Sequence, residues 1–190
     1  AFCCQIQGSK ILNNLYIAPG NAGTEKIAEN LEISIYNFQE IKTVLIAKKI
    51  TLIIIGPEIP LIDGLTDFIK NEPALKEVLV IGPSRLGSML EGSKDFSKKF
   101  MLKHKIPTAS YKTFDSSSLI EGLNYLDSTP PPYVLKADGP AAGKGVLILN
   151  DLHKAKDELS NMVLKNKFGK SGHKVVVEGF LDGIELSCFV

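Results

Sequence analysis

Between Tyr133 and Leu149 the chain reads YVLKADGPAAGKGVLIL, and these are residue types that hold an anion. Gly139, Gly143 and Gly145, with the small Ala141 and Ala142, let the backbone approach a ligand closely and turn its amides toward phosphate oxygens. Lys136 and Lys144 add compact positive charge. The flanking apolar runs are β-prone, so the stretch predicts strand, glycine-rich loop, strand: a polyphosphate-binding hairpin, with ATP the expected ligand. An ordinary flexible loop with solvated lysines is the competing reading of the same composition.

Residues elsewhere supply what else such a ligand requires. Lys94 follows a small-residue turn, Gly92-Ser93, and Glu178 ends a later apolar run, with a second carboxylate at Glu185. Phosphates need cations and amides, ribose hydroxyls a carboxylate, and adenine a strand-end acceptor under an apolar lid. Val134, Ile148, Val177, Phe180 and Leu181 are the candidates for that lid.

The elements that must position these groups follow from periodicity and turn chemistry. Residues 1–12 predict a helix and 15–18 a short strand, followed by the loop PGNAGT; 25–31 reads as a short helix or polar connection. Asn37 caps a helix over 38–49, and TLIII at 51–55 predicts a strand buried on both faces of a parallel sheet. A helix over 60–71 and a strand over 77–81 complete a strand–helix alternation, the doubly wound α/β pattern. In such sheets ligands sit at the carboxyl ends of strands, where the loops PGNAGT, GPE and GPS fall. Asn21, Gly23, Thr24 and Glu58 are thereby candidates to line a small-molecule site; turn and cap roles are the alternative. Residues 89–105 predict one helix with Leu90, Phe96, Phe100 and Met101 inward and Lys98, Lys99 and Lys103 on a solvated face. Pro107 ends it, near an expected domain boundary. Beyond lie a strand at 111–114, a helix at 119–126, the extended turn STPPP, the hairpin, a helix capped by Asp151 and running to about 164, a strand ending at Glu178, and a last strand through ELSCFV.

Composition narrows the class. The chain has 190 residues, 44% hydrophobic, with a net charge of +1. That suits a core-forming protein of one or two domains and gives no electrostatic reason to expect a nucleic-acid or acidic-membrane partner. No apolar run is long enough to span a bilayer, and no secretory leader is evident. Cys3, Cys4 and Cys188 make no disulfide framework, so a reduced, cytoplasmic setting is expected. His104, His153 and His173 lack the paired spacing of a zinc site.

Six blocks in order, YIAPGNAGT, IIIGPEIPLIDGL, IGPS, LEGSKDFSKKFMLKHKIPTASY, YVLKADGPAAGKGVLI and VVVEGFLDGIELS, resemble the ATP-grasp superfamily and, within it, the phosphoribosylamine–glycine ligase (glycinamide ribonucleotide synthetase) family. The glycine loop is not a Walker A motif, lacking its spacing and its following helix. The resemblance implies an N-terminal doubly wound parallel-sheet α/β (pre-ATP-grasp) domain at 1–93 and the first part of an α+β ATP-grasp domain at 94–190. It implies an ATP- and Mg²⁺-dependent ligase that joins glycine to 5-phosphoribosylamine through a glycyl phosphate. Lys94 and Lys136 then correspond to the two phosphate-contacting lysines, and Ala141, Ala142, Gly143, Lys144, Gly145 and Val146 to the loop that closes over the phosphates. Glu178, Gly179, Phe180 and Leu181 correspond to the adenine-binding strand end and Glu185 to the ribose contact. Glu58 and PGNAGT correspond to the wall around the ribosyl phosphate. Two positions depart from the family pattern: Pro140 stands for its usual Leu and Gly179 for a second Glu. The family's first strand and glycine-rich loop, and its Mg²⁺-binding Glu and Asn, have no counterpart here, so the chain is expected to be a piece that is inactive alone. Another ATP-grasp ligase and a non-catalytic nucleotide-binding module are the rival readings, and the oligomeric state is left open.

Overall fold

The computed structural model describes residues 2–141, 144–165 and 173–188. The chain divides into two compact units, Ala1–Arg85 and Leu86–Val190.

In the first unit a short helix α1 (Phe2–Ile6) precedes strand β1 (Tyr16–Ile17), which pairs in parallel with β2 (Glu29–Asn30). The expected helix over 1–12 is therefore confined to its first turns. The stretch expected as a helix or connection at 25–31 contributes a strand; polar Glu29 and Asn30 carry no apolar alternation that would have marked it. Asn37 caps α2 (Phe38–Ala47) by accepting the Glu40 amide at 3.2 Å. Strands β3 (Leu52–Ile54) and β4 (Leu79–Ile81) are parallel and in register, with α3 (Glu58–Asp63), α4 (Leu65–Asn71) and a 3₁₀ turn at Pro73–Leu75 between them. The single helix expected over 60–71 is broken at Gly64, whose φ of 98° lies in the left-handed region and ends α3.

The strand at 51–55 is not buried on both faces. Ile53 and Val80, paired across β3 and β4, pack on the core formed by Ile41, Leu45, Leu65, Ile69 and their neighbours. Leu52 and Leu79 share the opposite face and are 45% and 68% exposed. A continuous apolar run hides the period of two, so it cannot show that only one face is covered by helices.

The second unit opens within α5 (Arg85–Gly92), followed by α6 (Lys94–Lys103), β5 (Tyr111–Asp115), α7 (Leu119–Asp127), β6 (Tyr133–Ala137), β7 (Val146–Leu149), α8 (Leu152–Leu164) and β8 (Lys174–Glu178). The four strands form one sheet in the order β5-β8-β6-β7, with every neighbouring pair antiparallel. One face carries Phe114, Tyr133, Leu135, Ala137, Val175 and Val177, which pack with Leu126, Leu159 and Met162 of α7 and α8. Asp151 caps α8 through the Lys154 amide at 2.8 Å. Burial of this apolar face is the main stabilising contribution, at about 25 cal/mol per Å² removed from water. Among the described residues of the terminal stretch the expected strand is absent: residues 181–188 have no strand pairing, Ile184 and Leu186 are 91% and 86% exposed, and the last two residues of ELSCFV lie outside the described residues.

Candidate functional site

Strand parity decides what the other face of the four-stranded sheet presents. Residues two apart share a face, so with Leu135, Val175 and Val177 turned to the helices, Val134, Lys136, Val176 and Glu178 point the opposite way. Lys136 Nζ meets Glu178 Oε2 at 2.9 Å, a diagonal pair across β6 and β8. The same parity removes Val177 from the expected lid: it is fully buried in the helix-covered core, on the face away from Lys136 and Glu178. Ile148 of the edge strand β7 is exposed, on the Val134 side.

The helix expected over 89–105 is two helices. Ser93 stands between α5 and α6 in an extended conformation, and its hydroxyl accepts the Phe96 amide at 3.1 Å. A serine followed by Lys-Asp in a first helical turn is a start signal that the charge periodicity of the segment masks. Lys94 is thus the first residue of α6. Asp138, just past β6, anchors that helix start to the hairpin: its carboxylate accepts the Ser93 hydroxyl at 3.0 Å and the Asp95 amide at 2.7 Å. Its carbonyl accepts the Lys94 amide at 3.1 Å. Lys94 Nζ then donates to the Gly139 carbonyl at 3.3 Å. Burial pushes the Lys94 ammonium below the usual lysine range, and repulsion from nearby Lys136 acts in the same direction against the attraction of Asp138. Two lysines at one hairpin, one of them partly desolvated and destabilised by the other, form a place where an anion is favoured. A concavity of about 410 Å³ flanks this corner, lined among others by Ser93, Asp138, Gly139 and Lys174.

Of the residues expected inward, Phe96, Phe100 and Met101 of α6 are half-buried, while Leu90 lies in α5 and is 42% exposed. The most buried side chains of α6 are charged, against the sequence expectation: Asp95 and Lys98 are each only 6% exposed. Lys98 does not lie on a solvated face: its ammonium donates to Thr108 Oγ1 at 2.7 Å and the Ala109 carbonyl at 3.3 Å, meets Glu178 Oε2 at 3.3 Å, and sits over the Tyr111 ring. Asp95 accepts from Lys99 Nζ at 2.6 Å and Thr113 Oγ1 at 2.7 Å. Burial alone would raise the Asp95 carboxyl, but these two hydrogen bonds, together with the charges of Lys99 and Lys174, hold it below the usual range. The Asp95 hydrogen bond in turn holds Lys99 above its usual range. Composition treats a lysine run as solvated. Lys98 lies four residues after Lys94 and so on the same side of the helix, but that spacing does not announce burial, which depends on partners distant along the chain.

In the hairpin loop the Lys144 amide donates to the Ala141 carbonyl at 2.9 Å, and the Gly145 carbonyl accepts the Ala137 amide at 2.7 Å. Val146 is paired with Lys136 and is 42% exposed. Ala142 and Gly143 lie outside the described residues. After Glu178, the Gly179 amide donates to the Ser110 carbonyl at 2.9 Å, and a Cβ at this glycine would stand 2.8 Å from Ser110 Oγ. Glycine in place of a larger residue therefore draws this strand end against Ser110. Phe180, Leu181 and Glu185 are exposed.

The candidates in the first unit form a self-satisfied turn. Asn21 Oδ1 accepts the Gly23 and Thr24 amides at 2.8 and 3.1 Å. The Thr24 hydroxyl has the Asn21 carbonyl at 2.9 Å and Asn30 Oδ1 at 2.8 Å as alternative acceptors for its one proton, and Asn30 Nδ2 donates to the Asn21 carbonyl at 3.0 Å. These side chains shape the loop, and Asn30, missed in the sequence, locks it to β2. Glu58 is exposed at the first position of α3. Among the described residues no three His, Cys, Asp or Glu side chains cluster to hold a metal, and no helix is long and apolar enough to cross a membrane.

Comparison with known proteins gives this architecture relatives. Residues 92–190 match the family described as phosphoribosylglycinamide synthetase, ATP-grasp (A) domain, and residues 1–91 match its N domain. The chain is 42% identical over 185 residues to the phosphoribosylamine–glycine ligase of Caldanaerobacter subterraneus subsp. tengcongensis, covering 97% of this chain and 43% of that protein. It is 41% identical to the Haemophilus influenzae ligase of the same name, covering 100% of this chain and again 43% of the relative. The crystal structure of the Thermotoga maritima phosphoribosylamine–glycine ligase superposes with a TM-score of 0.70 at 29% identity, over 96% of this chain and 40% of that one. An N5-carboxyaminoimidazole ribonucleotide synthetase in complex with ADP shares the fold at 17% identity, with a TM-score of 0.61 over 88% of this chain and 40% of that one. The chain thus spans less than half the length of the curated relatives it matches.

Proposed function

Because this chain belongs to the phosphoribosylglycinamide synthetase family, we propose that the whole protein is an ATP-dependent ligase that joins glycine to 5-phosphoribosylamine, giving glycinamide ribonucleotide, ADP and phosphate. In the proposed reaction the glycine carboxylate attacks the γ-phosphorus and ADP leaves. The ribosylamine nitrogen then attacks the acyl carbon of the glycyl phosphate, phosphate leaves, and the nitrogen loses a proton.

The observation that carries this reading is the convergence of Lys94 and Lys136 at the glycine-rich hairpin, with Lys94 already displaced from its ordinary titration range by burial. Their part is to hold ATP phosphates, with amides of the loop Ala141, Ala142, Gly143, Lys144, Gly145 and Val146 closing over them. Glu178, Gly179, Phe180 and Leu181 receive adenine at the strand end, and Glu185 the ribose. Asn21, Gly23, Thr24 and Glu58 belong to the wall around the ribosyl phosphate, the first three through a loop surface their own side chains shape. The same reading divides the chain into a substrate-binding domain at 1–93 and a nucleotide-binding domain at 94–190, and places the protein in the cytoplasm. Mg²⁺ is the expected companion of the nucleotide. The described residues offer no acidic cluster for it, so no step is assigned to the metal through these side chains. Positioning and charge stabilisation suffice for such transfers, and no nucleophilic side chain is required.

The test is made on the whole protein. Glycine- and phosphoribosylamine-dependent ADP formation is expected, and Lys136→Ala should weaken ADP binding by about tenfold or more, the loss of a charge-assisted phosphate contact. Unchanged ADP affinity by calorimetry would remove Lys136 from the site. ADP formation without glycine would overturn the proposed reaction.

A further inference from the structure

Glu178 holds two lysines that are not equivalent. Lys136 is 29% exposed at the side-chain level and Lys98 only 8%, while Glu178 itself is 7% exposed. Lys98 is fixed from several directions, by Thr108 Oγ1, the Ala109 carbonyl and the Tyr111 ring as well as by Glu178. Lys136, on the same sheet face as buried Val134 and Val176, is the less enclosed of the two lysines. Among the described residues, the charged groups facing the Glu178 carboxylate include Lys98 from α6 and Lys136 from β6, with Lys94 acting from the start of α6; Tyr111 of β5 is its register partner.

We infer that Lys98 is a positioning residue, a buried second counter-ion that keeps the Glu178 carboxylate compensated when Lys136 is drawn to a ligand phosphate. The inference rests on the nucleotide-site reading above. Its physical basis is the asymmetry of buried ion pairs: a buried charge deprived of its partner costs far more than the pair contributes when intact. With Lys98 present, Lys136 can be shared with an anion and Glu178 still has a cation at 3.3 Å. Without Lys98, Glu178 competes with the phosphate for Lys136. Lys98 touches no ligand in this scheme and acts only through Glu178.

ADP binding by calorimetry on the whole protein tests this with five variants: Lys136→Ala, Lys98→Met, Lys98→Arg, Glu178→Gln and the Lys98→Met/Glu178→Gln double variant. Lys98→Met is expected to weaken ADP binding by about tenfold, and Lys98→Arg to restore most of it. In the Glu178→Gln background, where no carboxylate competes for Lys136, removing Lys98 should change the affinity by less than about twofold. The double variant removes both buried charges together, so even where Lys98→Met alone does not fold, a loss of more than about twofold from Glu178→Gln to the double variant overturns the inference. A similar loss in both backgrounds, or no loss from Lys98→Met in a folded protein, overturns the inference. If Lys136→Ala binds ADP normally, it is the nucleotide-site reading that fails.

Discussion

Asp95 shows how a single residue links helix to sheet. It is almost fully buried, yet its carboxylate has two donors, Thr113 on β5 and Lys99 one turn along α6. The Thr113 bond crosses to the sheet and is sheltered. Lys99 is 67% exposed, so solvent screening weakens its share. Asp95→Asn should therefore cost about 1–2 kcal/mol of unfolding free energy near neutral pH, most of it from the charge-assisted bonds. The carboxyl is held below its usual range in the folded state, which fixes the sign of the pH dependence. Its contribution is fully present above the unfolded value of about 3.9 and is lost as pH falls through the lower folded value. Urea denaturation of the two proteins should accordingly differ at pH 7 and converge in acid. A gap that widens on acidification would contradict this account.

At the scale of elements, the joint between α6 and the hairpin carries the site. Helix α6 starts where it does because Ser93 and Asp138 satisfy its first amides and hydroxyl contacts, and Asp138 belongs to the strand end that leads into the glycine loop. That joint brings Lys94 to Gly139. Asp138→Ala should destabilise the protein by about 1–2 kcal/mol, in the range of a lost helix cap, and Asp138→Asn, which keeps an acceptor oxygen, by less. Equal stability of wild type and Asp138→Ala in urea would mean that the cap is supplied by Ser93 alone. The break at Ser93 was available from cap chemistry. Its partner was not, because Asp138 lies 45 residues along the chain and nothing local to either residue announces the other.

At the scale of the molecule there are two apolar cores with no residue in common. Ile69 is fully buried in one, among α2 and α4 residues. Leu135 is fully buried in the other, among sheet residues and α8. Truncating either to Ala should cost about 2–5 kcal/mol. The losses should be local: in native-state hydrogen exchange Ile69→Ala is expected to loosen α4 and β4 with β6 and β8 unchanged, and Leu135→Ala to do the reverse. Loss of protection in both cores from either substitution would show that the two units unfold as one.

Much of this was legible in the chain. The glycine loop between apolar runs marked the hairpin, since turn chemistry and β-prone runs are local properties, while its register came from the structure. Asn37 and Asp151 identified their helices by side-chain chemistry alone, and the ordered blocks were sufficient to identify the family. Three-dimensional structure decided which face each strand residue takes. TLIII conceals its own period, so the exposure of Leu52 depends on what covers the sheet; Val177 looked like lid material and is core because β8 pairs with β5 and β6 in one register. It also decided the fate of the charges. Lys98 reads in the sequence as one more solvated lysine, and it is buried because Thr108, Ala109 and Glu178 come together around it. A charge becomes worth burying only when partners distant along the chain arrive, and those arrivals are set by the packing of helix on sheet, which no local pattern encodes.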